Sequence, residues 1–207
     1  MTPMQQDHLI TDLAQLREVI PAPKDGPPAK VMHQLDEEAI RFLASSPLVF
    51  VATTNRSFEV DVSPKGDEAG FAHVENLKTL LLPERSGNRL AFGFQNILQT
   101  GTIGLIFVVP GVRETLRING RATLTREPSL LERFAVNGKP ALLVTRVLVD
   151  ECFFHCGKAL IRSRLWTPPE GDRSAAERAA SKNWSRVFSM SEAKVDELLD
   201  ADYRSNL

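Results

Sequence analysis

What this 207-residue chain lacks narrows its class first. It has two cysteines, Cys152 and Cys156, four apart in a strand-like segment and poorly placed to pair. A disulfide framework is therefore not expected. Cys152, His155 and Cys156 are ligand-type side chains, but no second Cys-x-x-Cys or His-x-x-x-His accompanies them. Three such residues alone read as buried strand rather than a metal site, and no metal is expected. No run of about 18 apolar residues occurs, so no transmembrane helix is expected. The start, Met1-Thr2-Pro3-Met4-Gln5-Gln6-Asp7, lacks the basic and apolar regions of a signal peptide, and the cytoplasm is the expected compartment. Charge of one sign is scarce in excess: 25 basic against 26 acidic residues leave a net charge of -1, which argues against nucleic-acid and membrane-surface partners. Glycine-rich nucleotide loops are missing too. No G-x-G-x-x-G, Walker A or nucleophile-elbow pattern appears, and Gly101-Thr102-Ile103-Gly104 is too short to serve, so Rossmann-type binding is not expected.

What remains is a chain 43% hydrophobic, enough for one sizeable core. Residues 7–20 carry Leu9, Leu13, Leu16 and Ile20 at helical spacing and stop at Pro21. A proline-rich connector fills 21–30. A second helix follows with Asp36 as N-cap, with Ala39, Phe42 and Leu43 facing inward, and ends at Pro47. Strands are expected at 48–53, 59–62, 70–74, 79–82, 103–109, 113–125 and 140–154. The last alternates poorly, so both its faces are expected to be buried. Residues 88–99 and 129–136 read as helices, and Ser191 opens a final one. Six or seven strands without a βαβ rhythm point to a mainly β (α+β) fold, a barrel with appended helices.

Three polar clusters interrupt the apolar stretches. The first is Asp61-Val62-Ser63-Pro64-Lys65-Gly66-Asp67. Pro64 fixes φ and Gly66 permits a tight turn, so a plain surface turn is one reading and a ligand contact through Lys65 the other. The second is Pro83-Glu84-Arg85-Ser86-Gly87-Asn88-Arg89, followed by the 88–99 helix. Arg85 offers a bidentate fork, Gly87 allows close backbone approach and the helix start presents free N–H groups, which together suit a phosphate. The plainer alternative is that Ser86 or Asn88 caps the helix and Arg85 is solvated. The third is Arg113-Glu114-Thr115-Leu116-Arg117-Ile118-Asn119-Gly120-Arg121. Arg117, Asn119 and Arg121 share one face, with Leu116, Ile118 and Ala122 on the other. Such a face serves an anionic ligand or keeps an edge strand from aggregating.

These clusters resemble the FMN-binding split-barrel flavoproteins of the pyridoxamine 5'-phosphate oxidase-like superfamily. The likeness is closest to an uncharacterised bacterial branch. It rests on Ser63-Pro64-Lys65-Gly66-Asp67, the run from Pro83 to Arg89, Asn96-Ile97-Leu98, the run from Glu114 to Ala122, and the run from His155 to Trp166, in that order over roughly residues 35–170. The resemblance implies a Greek-key split β-barrel with flanking helices and a homodimer whose second subunit completes the flavin pocket. It implies FMN as cofactor, with Ser63, Pro64 and Lys65 along the ring system and Arg85, Ser86 and Asn88 at the phosphate. It adds Asn96, Thr115 (where related oxidases place a Gln), Arg117 and a covering Trp166. Lys158, Arg162 and Arg164, with no acidic residue between Lys158 and Trp166, are candidate contacts for an anionic or polar aromatic substrate. The division expected is 1–34 as an N-terminal helix and arm, 35–170 as the barrel and 171–207 as a helical extension. The activity implied is FMN-dependent oxidoreduction of a small molecule. A non-catalytic flavin carrier, or an F420- or haem-binding barrel, is the alternative. The oxidases' R-x-x-x-L-K strand lacks its Arg here and no Arg-Leu-His occurs, so pyridoxamine phosphate oxidation itself is not expected.

Overall fold

The computed structural model describes residues 8–23, 30–168, 171 and 174–206, and the expectation for most of the proline-rich connector lies outside them. Seven strands are present: β1 (Leu48–Thr54), β2 (Val60–Gly66), β3 (His73–Asn76), β4 (Thr79–Pro83), β5 (Thr102–Val108), β6 (Thr115–Thr125) and β7 (Val144–His155). All pairings are antiparallel, in the order β2-β1-β5-β6-β7-β4-β3. This is the split-barrel architecture, a single twisted sheet curled so that its β2 side approaches β4 without backbone pairing.

Register explains the two faces. Val49, Val51 and Thr53 align through β5 with Ile103, Leu105 and Phe107 and through β6 with Leu116 and Ile118, all buried. With Leu80, Leu82, Val147, Val149 and Cys152 they form the main core. The opposite face carries Phe50, Ala52, Ile106, Gly104, Arg117, Asn119 and Phe153 in lateral register. It is outward and half exposed. At the β6–β7 bulge, Gly120 has no room for a side chain: a Cβ there would lie 2.1 Å from the Leu148 carbonyl oxygen.

Helices are α1 (Leu13–Val19), α2 (Glu37–Ser45), α3 (Phe92–Thr100), α4 (Pro128–Arg133), α5 (Lys158–Arg162), α6 (Ser174–Glu177), α7 (Ala179–Val187) and α8 (Glu192–Asn206). Asp36 caps α2 as expected, its carboxylate accepting from the Ala39 N–H at 2.8 Å. Ala39 and Leu43 enter the core while Phe42 packs edge-on against Phe154. The helix expected at 7–20 is shorter and buries none of its residues.

Two expectations need correction. β7 begins at Val144, and both its faces are covered only at that end, where α4 lays Leu130 over Leu81 and Val144. From Val147 on, Val147, Val149 and Cys152 are buried while Leu148 and Asp150 are exposed, so only one face is covered there. The helix expected from Asn88 opens at Phe92. Asn88 instead spends its side-chain oxygen on the Leu90 N–H, and both Arg89 and Ala91 take left-handed backbone (φ 62° and 56°) before the helix starts. Two such non-glycine residues with only Leu90 between them mark a strained loop.

Candidate functional site

A cleft of about 640 Å³ fills the split between β2 and β4. β2 contributes Asp61, Ser63, Pro64 and Lys65, and inward alternation brings Asp61, Ser63 and Lys65 to the cleft side. Leu82 and Thr145, paired across β4 and β7, form the opposite wall. The strained loop and the first turn of α3 close one end, with Arg85, Gly87, Asn88, Arg89 and Phe94 all lining it. Val51, Ile97 and Ile103 make the floor apolar. A cleft of this size with apolar walls and a charged rim matches the general pattern of small-molecule sites.

The charges are not loose. Lys65 Nζ donates to Glu84 at 2.7 Å and sits 4.6 Å from the centre of the Phe94 ring. Arg85 donates through Nε to Asp67 at 2.8 Å and through a terminal N–H to the Phe134 carbonyl at 2.6 Å. Both ion pairs cross from the β2 side to the end of β4, so side chains stitch the barrel where backbone hydrogen bonds do not. Arg89 lines the same cleft, is exposed, and has no ion pair among the described residues. Asp61 leans on the start of α3: its carboxylate oxygen is 3.2 Å from where a Cβ on Gly93 would stand.

Of the residues singled out in the sequence, Ser63, Pro64, Lys65, Arg85 and Asn88 are gathered at this cleft. Ser86 is on the same loop, between the lining residues Arg85 and Gly87. Asn96 is buried beneath it, its amide donating to Thr53 Oγ1 at 3.1 Å. Thr115 and Arg117 are placed elsewhere. Both stand on the outer face, and Arg117 stacks 5.1 Å from the Phe153 ring centre. Trp166 donates to the Val112 carbonyl at 2.8 Å near the start of β6. Lys158, Arg162 and Arg164 lie on or just after α5, beyond the far end of β7. From Thr145 at the cleft to His155 is ten strand residues, up to about 33 Å. Sequence reasoning missed Arg89, Asp61 and Glu84; the only available signal was their place within two of the quoted clusters.

Ionisation is shifted away from the cleft. Burial pushes the Cys152 thiol up to about 11, with the Asp36 charge adding to it, and its Sγ–H faces the Gln34 carbonyl at 3.1 Å. His73 is lowered by burial and by Arg133 beside it, against a smaller opposing effect of Glu75. No cluster of His, Cys, Asp or Glu among the described residues is arranged to hold a metal.

The family pattern described as Pyridoxamine 5'-phosphate oxidase matches residues 35–156. The chain belongs to this family. No curated protein matches it. Among solved structures it is similar to HupZ of Group A Streptococcus (19% identity, 58% of this chain and 93% of that one, TM-score 0.47). It is also similar to a Clostridium acetobutylicum protein related to general stress protein 26 of the pyridoxinephosphate oxidase family (15%, 59% and 91%, TM-score 0.45). A third is an FMN-binding protein from Syntrophomonas wolfei (11%, 56% and 80%, TM-score 0.42). The family match covers the whole sheet and stops just before α5, so α5 and the C-terminal helices lie outside it.

Proposed function

We propose that this pyridoxamine 5'-phosphate oxidase family member binds FMN in the split of its barrel and works as an oxidoreductase on a small molecule. The observation that carries the reading is the cleft: a space of about 640 Å³ with apolar walls, ending at Lys65 of β2 and at Arg85 and Arg89 on a glycine-containing loop suited to a phosphate. Bound there, FMN supplies the redox chemistry while the protein positions it. Leu82, Ile97, Ile103 and Phe94 exclude water from the ring. Ser63 and the β2 backbone would meet its polar edge, and Arg89, which has no ion pair among the described residues, would join Lys65 and Arg85 at the phosphate. The substrate is a molecule other than pyridoxamine phosphate, since the arginine and the Arg-Leu-His that serve that substrate are absent.

The working unit in this reading is a homodimer. Thr115, Arg117, Trp166 and the α5 cations do not line the cleft of their own chain, so in this reading they take part in the cleft of a second copy. The outer sheet face is suited to such a contact: Val60 and Val62 are 69% and 61% exposed, beside half-exposed Phe50 and Ile106. An isologous pairing buries that face twice.

Protein purified as it comes from cells should be yellow and release FMN on heating. A colourless protein that takes up no added FMN overturns the flavin reading. Stopped-flow reduction by NAD(P)H or a deazaflavin donor, followed by reoxidation with candidate substrates, separates enzyme from carrier. Failure of every donor overturns the enzymatic part alone. Sedimentation of a stable monomer at micromolar concentration removes the dimer.

A further inference from the structure

Resting on the flavin reading, we infer that the split selects a doubly charged phosphate monoester, and that Glu84 and Asp67 set this requirement. Both cations that face each other across the split are already occupied by carboxylates, at 2.7 Å for Lys65–Glu84 and 2.8 Å for Arg85–Asp67. All four side chains are between 17 and 28% exposed, so solvent replaces neither partner freely. An incoming anion therefore competes with carboxylates that hold charge-assisted hydrogen bonds.

The chemistry of the anion decides whether it succeeds. A carboxylate carries one charge on two oxygens. A phosphodiester also carries one charge on two free oxygens, so it offers a cation no more than Glu84 or Asp67 already gives. A monoester dianion brings close to two charges on three free oxygens, enough to serve Lys65 and Arg85 together. Arg85 is held for the exchange: its hydrogen bond to the Phe134 carbonyl keeps the guanidinium in the cleft when the Asp67 carboxylate gives way. Arg89 adds a third positive group that has no ion pair among the described residues. The same competition turns away neutral flavins, which bring nothing to replace the displaced carboxylates, and flavins or deazaflavins linked through phosphodiesters, which bring too little.

The requirement makes binding pH-dependent through the ligand. The second ionisation of a phosphate monoester lies near about 6, so lowering the pH from about 7.5 to about 5 turns the dianion into a monoanion. FMN affinity should fall about tenfold over that range, while the weak binding of uncharged riboflavin stays level.

The experiment uses the full chain freed of flavin. FMN binding is followed by quenching of its fluorescence, with methyl phosphate and dimethyl phosphate as competitors. In the wild type, methyl phosphate should compete at least about tenfold better than dimethyl phosphate. In Glu84→Gln and in Asp67→Asn, tested separately with circular dichroism to verify folding, that ratio should shrink to about threefold, with monoester binding as tight as before or tighter. Equal competition by the two esters in the wild type overturns the inference, as does a ratio unchanged in both folded variants. Either result leaves the flavin reading intact, because FMN still binds. A wild type that binds no FMN sinks the flavin reading instead.

Discussion

Two parts of this molecule are rich in cations, and they are built differently. At the split, Lys65 and Arg85 each face a carboxylate inside a partly closed cleft. Around α5, Arg113, Lys158, Arg162 and Arg164 stand exposed, and none has an ion pair among the described residues. The first arrangement is a site tuned by its own counter-ions. The second is an open positive surface with its charge undiminished. A cation count over either sequence segment does not tell them apart, because the acids that distinguish them come from 18 or 19 residues away.

The contrast is open to test. The largest effect belongs to the sheet that both regions share: Phe107→Ala, at a fully buried position, should cost about 3–5 kcal/mol of unfolding free energy by denaturant titration and loosen both ends together. Next comes Lys65→Met, which should weaken FMN binding by about 3 kcal/mol, roughly a hundredfold, because it removes the cation and leaves Glu84 in the cleft unpaired. An affinity within a factor of about two of wild type would show that the split is not the phosphate end. By contrast, replacing Lys158, Arg162 and Arg164 together by Gln should change unfolding free energy by less than about 0.5 kcal/mol, since the side chains are exposed and unpaired. A larger loss would mean that the proposed homodimer draws folding stability, and not only ligand contacts, from these side chains. The smallest effect is a difference of reactivity. Cys156 is exposed and Cys152 buried, so a thiol reagent at neutral pH should modify one thiol in the native chain and two after denaturation. The raised thiol of Cys152 favours the folded state below about pH 9, and that contribution should fade as pH climbs from 9.0 towards about 11.

Much of the fold is legible in the sequence because it rests on local signals. Asp36 three residues before Ala39, Pro47 after the helix, and the Leu116/Ile118 against Arg117/Asn119 alternation each fix an element by short-range chemistry. The alternation of β6 is correctly paired, yet period two says only that two faces differ, not which one encloses the cleft. That is decided by the curl of the whole sheet, and it leaves Arg117 on the outer face with Phe153. The start of α3 was misplaced for a similar reason. Asn88 is a good cap by type, but its side chain closes a turn onto Leu90 instead, and the chain crosses two left-handed residues before the helix begins. Five of the residues expected at the site, Ser63, Pro64, Lys65, Arg85 and Asn88, are gathered at the cleft, and they come from two clusters visible as motifs. The pairing of Lys65 with Glu84 and of Arg85 with Asp67 is tertiary, and no spacing rule reports it.

The order of the strands has a kinetic consequence. β1 and β2 are a near-local hairpin, with Thr54 opposite Val60, and β6 meets β7 across 19 residues, with Thr125 opposite Val144. The wall opposite β2 depends on a far longer closure, Thr79 opposite Leu148, which carries a correspondingly greater loop entropy. Pairing of β4 with β7, like that of β1 with β5 where Thr53 meets Ile103, is expected late in folding, and the cleft that these strands enclose takes shape with them. A molecule seated there meets nothing recognisable in the transition state. It should leave the folding rate almost unchanged and act as a brake on unfolding, so that the lifetime of the native barrel, more than the speed of its formation, follows the supply of its ligand.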